Sequence, residues 1–333
     1  MSRIQKYRES LQRFIKDKSC LFENDIEDNL TDSTFIYNKI KDNDMIFPIL
    51  LLTILNNQNK KNKITMQGYY IATSIEFIST LLLLIEHKSS CIKELEDDEN
   101  RYLKIYTNLF INVQKSLHQN LESIKNTYNL QHQSFINIIL NTINLYNTTF
   151  QTINNDAKIL SDELKINNRN CHISITKWYL KDNVEMIEKF KTLKQVKKES
   201  LLEYIEKKYI VLCELAISVA WVVGGGQIKD NTRIKKIAKH FALMYKISKD
   251  FENLDSDLKE SQQYTTNYIL NYGLQQGYEV FLNNKQKFIE ESMIEEIYTT
   301  TIKEIVDIIE ANVDMIIDQT SPDLKSTYSS MNA

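Results

Sequence analysis

At 333 residues, with a net charge of −3 and a pI near 6.0, the chain lacks the positive excess of a strongly nucleic-acid-binding protein. Apolar residues make up 42% and charged residues 26%, enough for a large core beneath an ordinary polar surface. Two prolines and six glycines leave long uninterrupted helices as the expectation, because these residues are the strongest helix breakers.

The first helix is expected over residues 3–16, where Ile4, Tyr7, Leu11 and Phe14 recur at three- and four-residue steps. Pro48 opens a second, apolar on nearly every face, through Leu55. Residues 56–63 read as a polar loop, and 65–88 as a long helix whose apolar run 77–85 must be buried. Further helices are expected near 101–127, 131–150, 155–166, 183–193, 198–223, 231–255, 264–284 and 287–318. The Ser-, Thr- and Asp-rich residues 320–333 read as a disordered tail. No strand-like alternation persists, no repeat recurs at a fixed period, and no strict heptad seam is kept. The expected fold class is all-α, a single domain of about ten helices with 209–223 at its centre.

The longest apolar run, 209–223, falls short of the ~20 residues that span a bilayer. It also contains Glu214, so it reads as a core helix and no transmembrane segment is expected. The charged N-terminus carries no secretory signal. Cys20, Cys91, Cys171 and Cys213 show no metal or redox spacing, which fits small buried thiols in a reducing, cytoplasmic compartment. Cys171-His172 stands alone, without the second pair of ligands a zinc site needs. Gly224-Gly225-Gly226 reads as a helix stop, since the Lys-Ser/Thr of a phosphate loop is missing. His118, His132, His172 and His240 are scattered and read as structural.

The apolar helix 209–223, the glycine break, and then a helix bearing Lys249, Asp250, Asn253 and Asp257 stand in a distinctive order. In that order the chain resembles the trans-isoprenyl diphosphate synthases (the polyprenyl synthetase family), and particularly the divergent members of large DNA viruses. The family's second aspartate motif, F-Q-x-x-D-D-x-x-D, aligns with Tyr245 to Asn253, so its three aspartates fall on Lys249, Asp250 and Asn253. Asp257, one turn on, matches a further acidic position. Aligning Ala72 and Glu76 with the first motif puts its aspartates at Glu86, His87 and Ser90. The nearby run Glu96-Asp97-Asp98-Glu99 reads as an acidic helix entry. Lys208 matches a lysine that contacts diphosphate in the family, with Tyr209 in place of the following Thr. The basic turn ahead of Pro48 becomes Asn43-Asp44-Met45-Ile46-Phe47 and loses its cations.

The resemblance implies an isoprenoid-synthase-like bundle over residues 1–319. In such a site, carboxylates sharing helix faces hold the magnesium that draws diphosphate away. A lysine at position 249 removes a ligand and adds a competing charge. The departures imply a catalytically degenerate homologue with no cofactor, acting as a binding, regulatory or structural protein. The alternative is an active prenyltransferase with a reduced Mg2+ site on Glu86, Asp250 and Asp257, helped by Lys208 and Lys249. The resemblance also implies a homodimer, or a heterodimer with an active relative, formed through apolar surface at 45–55 and 75–85. It implies an isoprenoid or other apolar ligand, no nucleic acid, and a location in the cytoplasm, or in the host cytoplasm or virion of a virus.

Overall fold

The computed structural model describes residues 2–22, 30–62, 68–127, 132–154, 165–166 and 174–320. The expected tail at 320–333, apart from Thr320 itself, most of the helix expected at 155–166, and the Cys171-His172 pair lie outside them. Scarcity of breakers has the anticipated result, an all-α chain. The first half runs α1 (Arg3–Lys18), α2 (Leu30–Asp42), α3 (Ile46–Asn62), α4 (Tyr69–Glu86), α5 (Lys88–Glu94), α6 (Glu99–Thr127) and α7 (His132–Asn154). The second half runs α8 (Val184–Thr192), α9 (Lys198–Ile205), α10 (Val211–Val223), α11 (Asn231–Glu252), α12 (Leu254–Glu260), α13 (Tyr268–Tyr272), α14 (Leu274–Ile294) and α15 (Thr300–Thr320). A π-helical turn, Glu206–Ile210, joins α9 to α10. The one extended pairing among the described residues is Lys165–Ile166, antiparallel to Lys194–Gln195.

The chain divides into two compact units. Unit 1 comprises Met1–Gln151, Leu212–Lys235 and Thr299–Ile302. Its core is built from helices with wide apolar faces. In α3, Ile49, Leu50, Leu51, Leu52, Ile54 and Leu55 are all buried. In α4, burial takes in Ile71, Ile75, Phe77, Ile78, Leu81 and Leu84. The next long helix, α6, buries Tyr102, Ile105, Leu109, Val113 and Leu117 at three- and four-residue steps. Ser2 caps α1, accepting from the Gln5 amide at 3.1 Å. The glycine run ends α10: Gly225 adopts φ 92°, and a Cβ on Gly224 would lie 2.5 Å from Gln58 Cβ.

Most large side chains at 45–55 and 75–85, where the partner surface is expected, are buried within the chain, while Ile46, Leu82 and Leu83 are partly exposed and Ile85 is exposed. Further exposed apolar side chains in unit 1 include Leu103, Phe110 and Ile111 on α6 and Ile136 and Leu140 on α7. Among the described residues, α4 is the one helix long and apolar enough to cross a membrane, and most of it is buried inside the protein.

Unit 2 comprises Thr152–Val211, Lys236–Tyr298 and Lys303–Ala333. Around the short ladder, Asn271 ties the 194–196 segment down. Its side chain accepts from Val196 N at 2.8 Å and its carbonyl accepts from Gln195 Nε2 at 2.8 Å. The core of this unit includes Phe241, Phe251, Phe281 and Phe288, with the Phe241 and Phe288 rings edge to face at 5.1 Å.

Two expected boundaries move. Residues 56–62 continue α3 instead of forming a loop, since Asn, Gln and Lys carry no breaker's cost. Helices expected to break between 284 and 287 run unbroken through α14, whose buried Asn284 donates from Nδ2 to the Val280 carbonyl at 2.8 Å. The true break follows at Glu295 and Glu296, where Glu296 takes φ 53°. Neither boundary is marked by glycine or proline.

Candidate functional site

In unit 1, the turn before Pro48 is held by side chains instead of offering them outward. Asn43 Nδ2 donates to Glu76 Oε1 at 2.7 Å and to Ser79 Oγ at 3.3 Å. Met45 adopts φ 53°, a strained conformation for a non-glycine residue. The cation lost from this turn in sequence has a neighbour elsewhere: Arg8 of α1 donates from Nη2 to the Asp44 carbonyl at 3.1 Å. Glu76 is 0% exposed, and its Oε2 has no hydrogen-bond partner among the described residues. Burial pushes its carboxyl up to about 8; the Asn43 hydrogen bond opposes the shift, the Asp44 charge adds to it, and Arg8 opposes it.

The first aspartate-motif positions do not share a helix face. Helix α4 ends at Glu86, His87 is the capping residue with φ −103°, and Ser90 belongs to α5. All three are exposed, and His87 Nε2 lies 3.8 Å from Glu86 Oε2. The i, i+1, i+4 pattern that needs one continuous helix is therefore broken at its second member. Downstream, Glu96 and Asp97 adopt φ 60° and 63°, and Asp98 Oδ1 accepts from Arg101 N at 2.9 Å. That acidic run serves the end of α5 and the start of α6.

In unit 2, the second motif is organised around a residue that sequence reasoning did not single out, Lys246. Its ammonium pairs with Asp250 Oδ1, one helical turn away, and the two side chains are 6% and 2% exposed. The other oxygen, Asp250 Oδ2, accepts from Tyr268 N at 2.9 Å. Asn267 completes the frame: its Nδ2 donates to the Asp250 carbonyl and to Asp257 Oδ2, both at 2.8 Å. Its Oδ1 caps α13, accepting from Ile269 N at 2.9 Å and Leu270 N at 3.1 Å. Burial raises the Asp250 carboxyl to about 6 against the opposing pull of Lys246.

Lys249 does not reach inward; it pairs with Glu252 Oε2 at 2.7 Å and lies over the Tyr245 ring at 5.7 Å. Asn253 is the break between α11 and α12 and makes no side-chain cap. Lys208, on the π-helical turn, donates to Tyr204 OH at 3.0 Å and sits over the Tyr209 ring at 5.5 Å. Lys246 lies over that same ring at 5.2 Å. Unit 2 thus brings Lys208, Asp250 and Asp257 into one network with Lys246, Tyr204 and Tyr209. The i, i+4 spacing of Lys246 and Asp250 on an apolar helix face was the signal available in the sequence.

The donor set does not fit a magnesium cluster. Lys249 and Asn253 supply no carboxylate, both Asp250 oxygens are engaged, and His87 and Ser90 are poor partners for a hard cation. Among the described residues no group of three or more His, Cys, Asp or Glu side chains is placed to hold a metal.

No family model matches the chain, and no curated protein matches it either. Solved structures do. The chain is similar to a geranyltransferase from Legionella pneumophila at 12% identity and a TM-score of 0.58, covering 94% of this chain and 96% of that one. A candidate farnesyl-diphosphate synthase from Marinomonas sp. MED121 gives 11% identity and a TM-score of 0.57 over 94% and 100%. An FPP/GFPP synthase from Zymomonas mobilis gives 10% and 0.53 over 93% and 98%. The class this defines is one of architecture: the all-α isoprenoid synthase fold shared by trans-isoprenyl diphosphate synthases. At such identities the likeness establishes fold and nothing more.

Proposed function

We propose that this chain is a degenerate relative of the prenyl diphosphate synthases, of the divergent kind found in large DNA viruses, that has given up magnesium-dependent ionisation and acts as a binding or regulatory protein. The observation that carries the reading is the fate of Asp250. It is the one aspartate kept from the second motif, and both of its oxygens are committed, to Lys246 and to Tyr268 N. Departing diphosphate is stabilised chiefly by metal ions and fixed cations, so a site without the ligands to hold those ions loses most of its rate enhancement. An apolar ligand within the bundle and a partner on the exposed α6 and α7 side chains, a second copy or an active relative, are the remaining functions this fold supports.

The test is condensation of isopentenyl diphosphate with allylic diphosphates in magnesium by the purified full-length protein. No product is expected, and Lys249→Asp with Asn253→Asp is not expected to restore one. A prenyl product from the unmodified protein, lost in Asp250→Ala, would overturn the reading in favour of a reduced-metal enzyme.

A further inference from the structure

Within unit 2, helix α15 packs by one face and leaves the opposite one in solvent. Ile305, Val306, Ile309, Val313 and Ile317 are buried. Both edges are tied to neighbouring helices. From α14, Lys285 pairs with Glu310 and Tyr278 OH donates to Asp314 Oδ1 at 3.3 Å. On the other edge, Asn312 Nδ2 donates to Glu252 Oε1 of α11 at 2.8 Å. Between these edges Asp307, Ile308, Ala311, Met315 and Asp318 are exposed, Ile308 at 46% and Met315 at 56%. Ile308, Ala311 and Met315 follow the i, i+3, i+7 spacing that puts side chains in one row on a helix. Asp307 and Asp318 stand on the adjoining row, about 16 Å apart along the axis.

Charge decides what can cover this face. Residues 300–320 carry five acids, Glu304, Asp307, Glu310, Asp314 and Asp318, against one lysine, Lys303, a net of −4 in a chain whose total is −3. That excess repels nucleic acid and anionic lipid. It also opposes pairing of two copies through α15, because their acidic rows would meet.

We propose that the outer face of α15 docks a basic amphipathic helix of a partner protein. The partner's apolar anchors lie along Ile308, Ala311 and Met315, and the small Ala311 admits a large side chain between its two neighbours. Lysine or arginine on the partner's flanking row meets Asp307 and Asp318. An extended segment is the poorer occupant, since a helix face offers no free backbone edge for it to pair with. Met315 suits this role because its unbranched thioether adapts to the shape of the anchor it meets. The acidic row steers the encounter and burial of the apolar row holds the complex. This inference goes beyond the proposed function: it uses none of the α6 or α7 side chains and requires nothing of diphosphate.

The probe is a fluorescein-labelled amphipathic helical peptide of leucine and lysine, titrated by anisotropy against the full-length protein beside an isomer of scrambled order. The amphipathic peptide is expected to bind at least ~10-fold tighter than its isomer, and Asp307→Lys with Met315→Lys to weaken it at least ~10-fold. Phe110→Asp with Leu140→Asp, on α6 and α7, is expected to leave the affinity unchanged. A second readout uses the unmodified protein. Bound peptide should slow peroxide oxidation of Met315 at least ~3-fold while Met293, 57% exposed at the end of α14, oxidises as before. Equal affinity for the two isomers, no loss in the α15 variant, or loss in the α6 and α7 variant instead would overturn the proposal. So would a Met315 that the peptide does not protect, or one that oxidises far more slowly than Met293 before any peptide is added. Because no diphosphate is present, the result is independent of the condensation assay.

Discussion

Replacing Asp250 with Asn tests whether the surviving motif aspartate is a structural strut. The substitution keeps the side chain's shape and an oxygen able to accept from Tyr268 N, but it removes the charge facing Lys246. With side-chain exposures of 6% and 2%, neither partner can turn to water without moving the 250–268 region. Breaking a buried pair by removing one member costs about 3–5 kcal/mol, since the remaining charge is left uncompensated. Lys246 can relieve part of that by releasing its proton, so about 3 kcal/mol is the working figure, a fall of roughly 4 °C in the thermal midpoint of a chain this long. Differential scanning calorimetry of the wild type, Asp250→Asn and the double variant Lys246→Met/Asp250→Leu would measure it. The double variant should recover most of the loss, because replacing both buried charges by apolar groups is often neutral or stabilising. A change below about 1 kcal/mol in Asp250→Asn would refute the reasoning, since that is the size of a solvent-screened surface pair.

Glu76 should impose a pH dependence of the opposite kind from a salt-bridged carboxylate. Folding raises its value from 4.5 to about 8, so the folded state holds the proton longer and stability declines as pH rises through that window. The full decline is on the order of 5 kcal/mol, and Glu76→Gln should flatten urea midpoints between pH 5 and 8.5 while raising them at the upper end; equal pH slopes in the two proteins would exclude Glu76 as the source. For assembly, light scattering at micromolar concentration should give a mass above that of the 39.2 kDa chain for the wild type or its mixture with a partner synthase. Phe110→Asp with Leu140→Asp should return it to monomer, and a wild type that stays monomeric alone and in such mixtures would remove α6 and α7 as an interface.

Much of the architecture was legible because it depends on which residues are absent. Few breakers and wide apolar runs at 47–55, 77–85 and 209–223 dictated buried helices; α3, α4 and α10 are found there, with Tyr209 and Ile210 in the π-helical turn before α10. The errors occur where no residue signals the change. Asn56 to Asn62 looks like a loop by polarity, yet polarity on one face is also what a helix end presents to water. The two-residue ladder at 165–166 and 194–195 is too short to show a period of two. At the candidate site, the motif substitutions at 249 and 253 were visible, but their consequence was not. The competing charge was expected from Lys249, whereas the ammonium buried against the surviving aspartate is Lys246, one turn before Asp250. A charge's orientation is set by packing, and sequence spacing alone did not reveal which of two lysines would turn inward. The burial of Glu76 and the approach of Arg8 are likewise tertiary facts, joining residues far apart in the chain.

Helix α4 has a consequence for how the chain is made. Its 18 residues have a mean hydropathy of 1.4, enough by length and composition to enter a bilayer, and they are hidden chiefly by packing against α3 and α6. Synthesis proceeds from the N-terminus, so α4 leaves the ribosome before Glu99–Thr127 exists to cover it. During that interval the nascent chain presents a segment that membranes and chaperones both recognise. Any truncation ending before α6 would make that transient exposure permanent, so the minimal expressible unit of this protein must extend at least through Thr127.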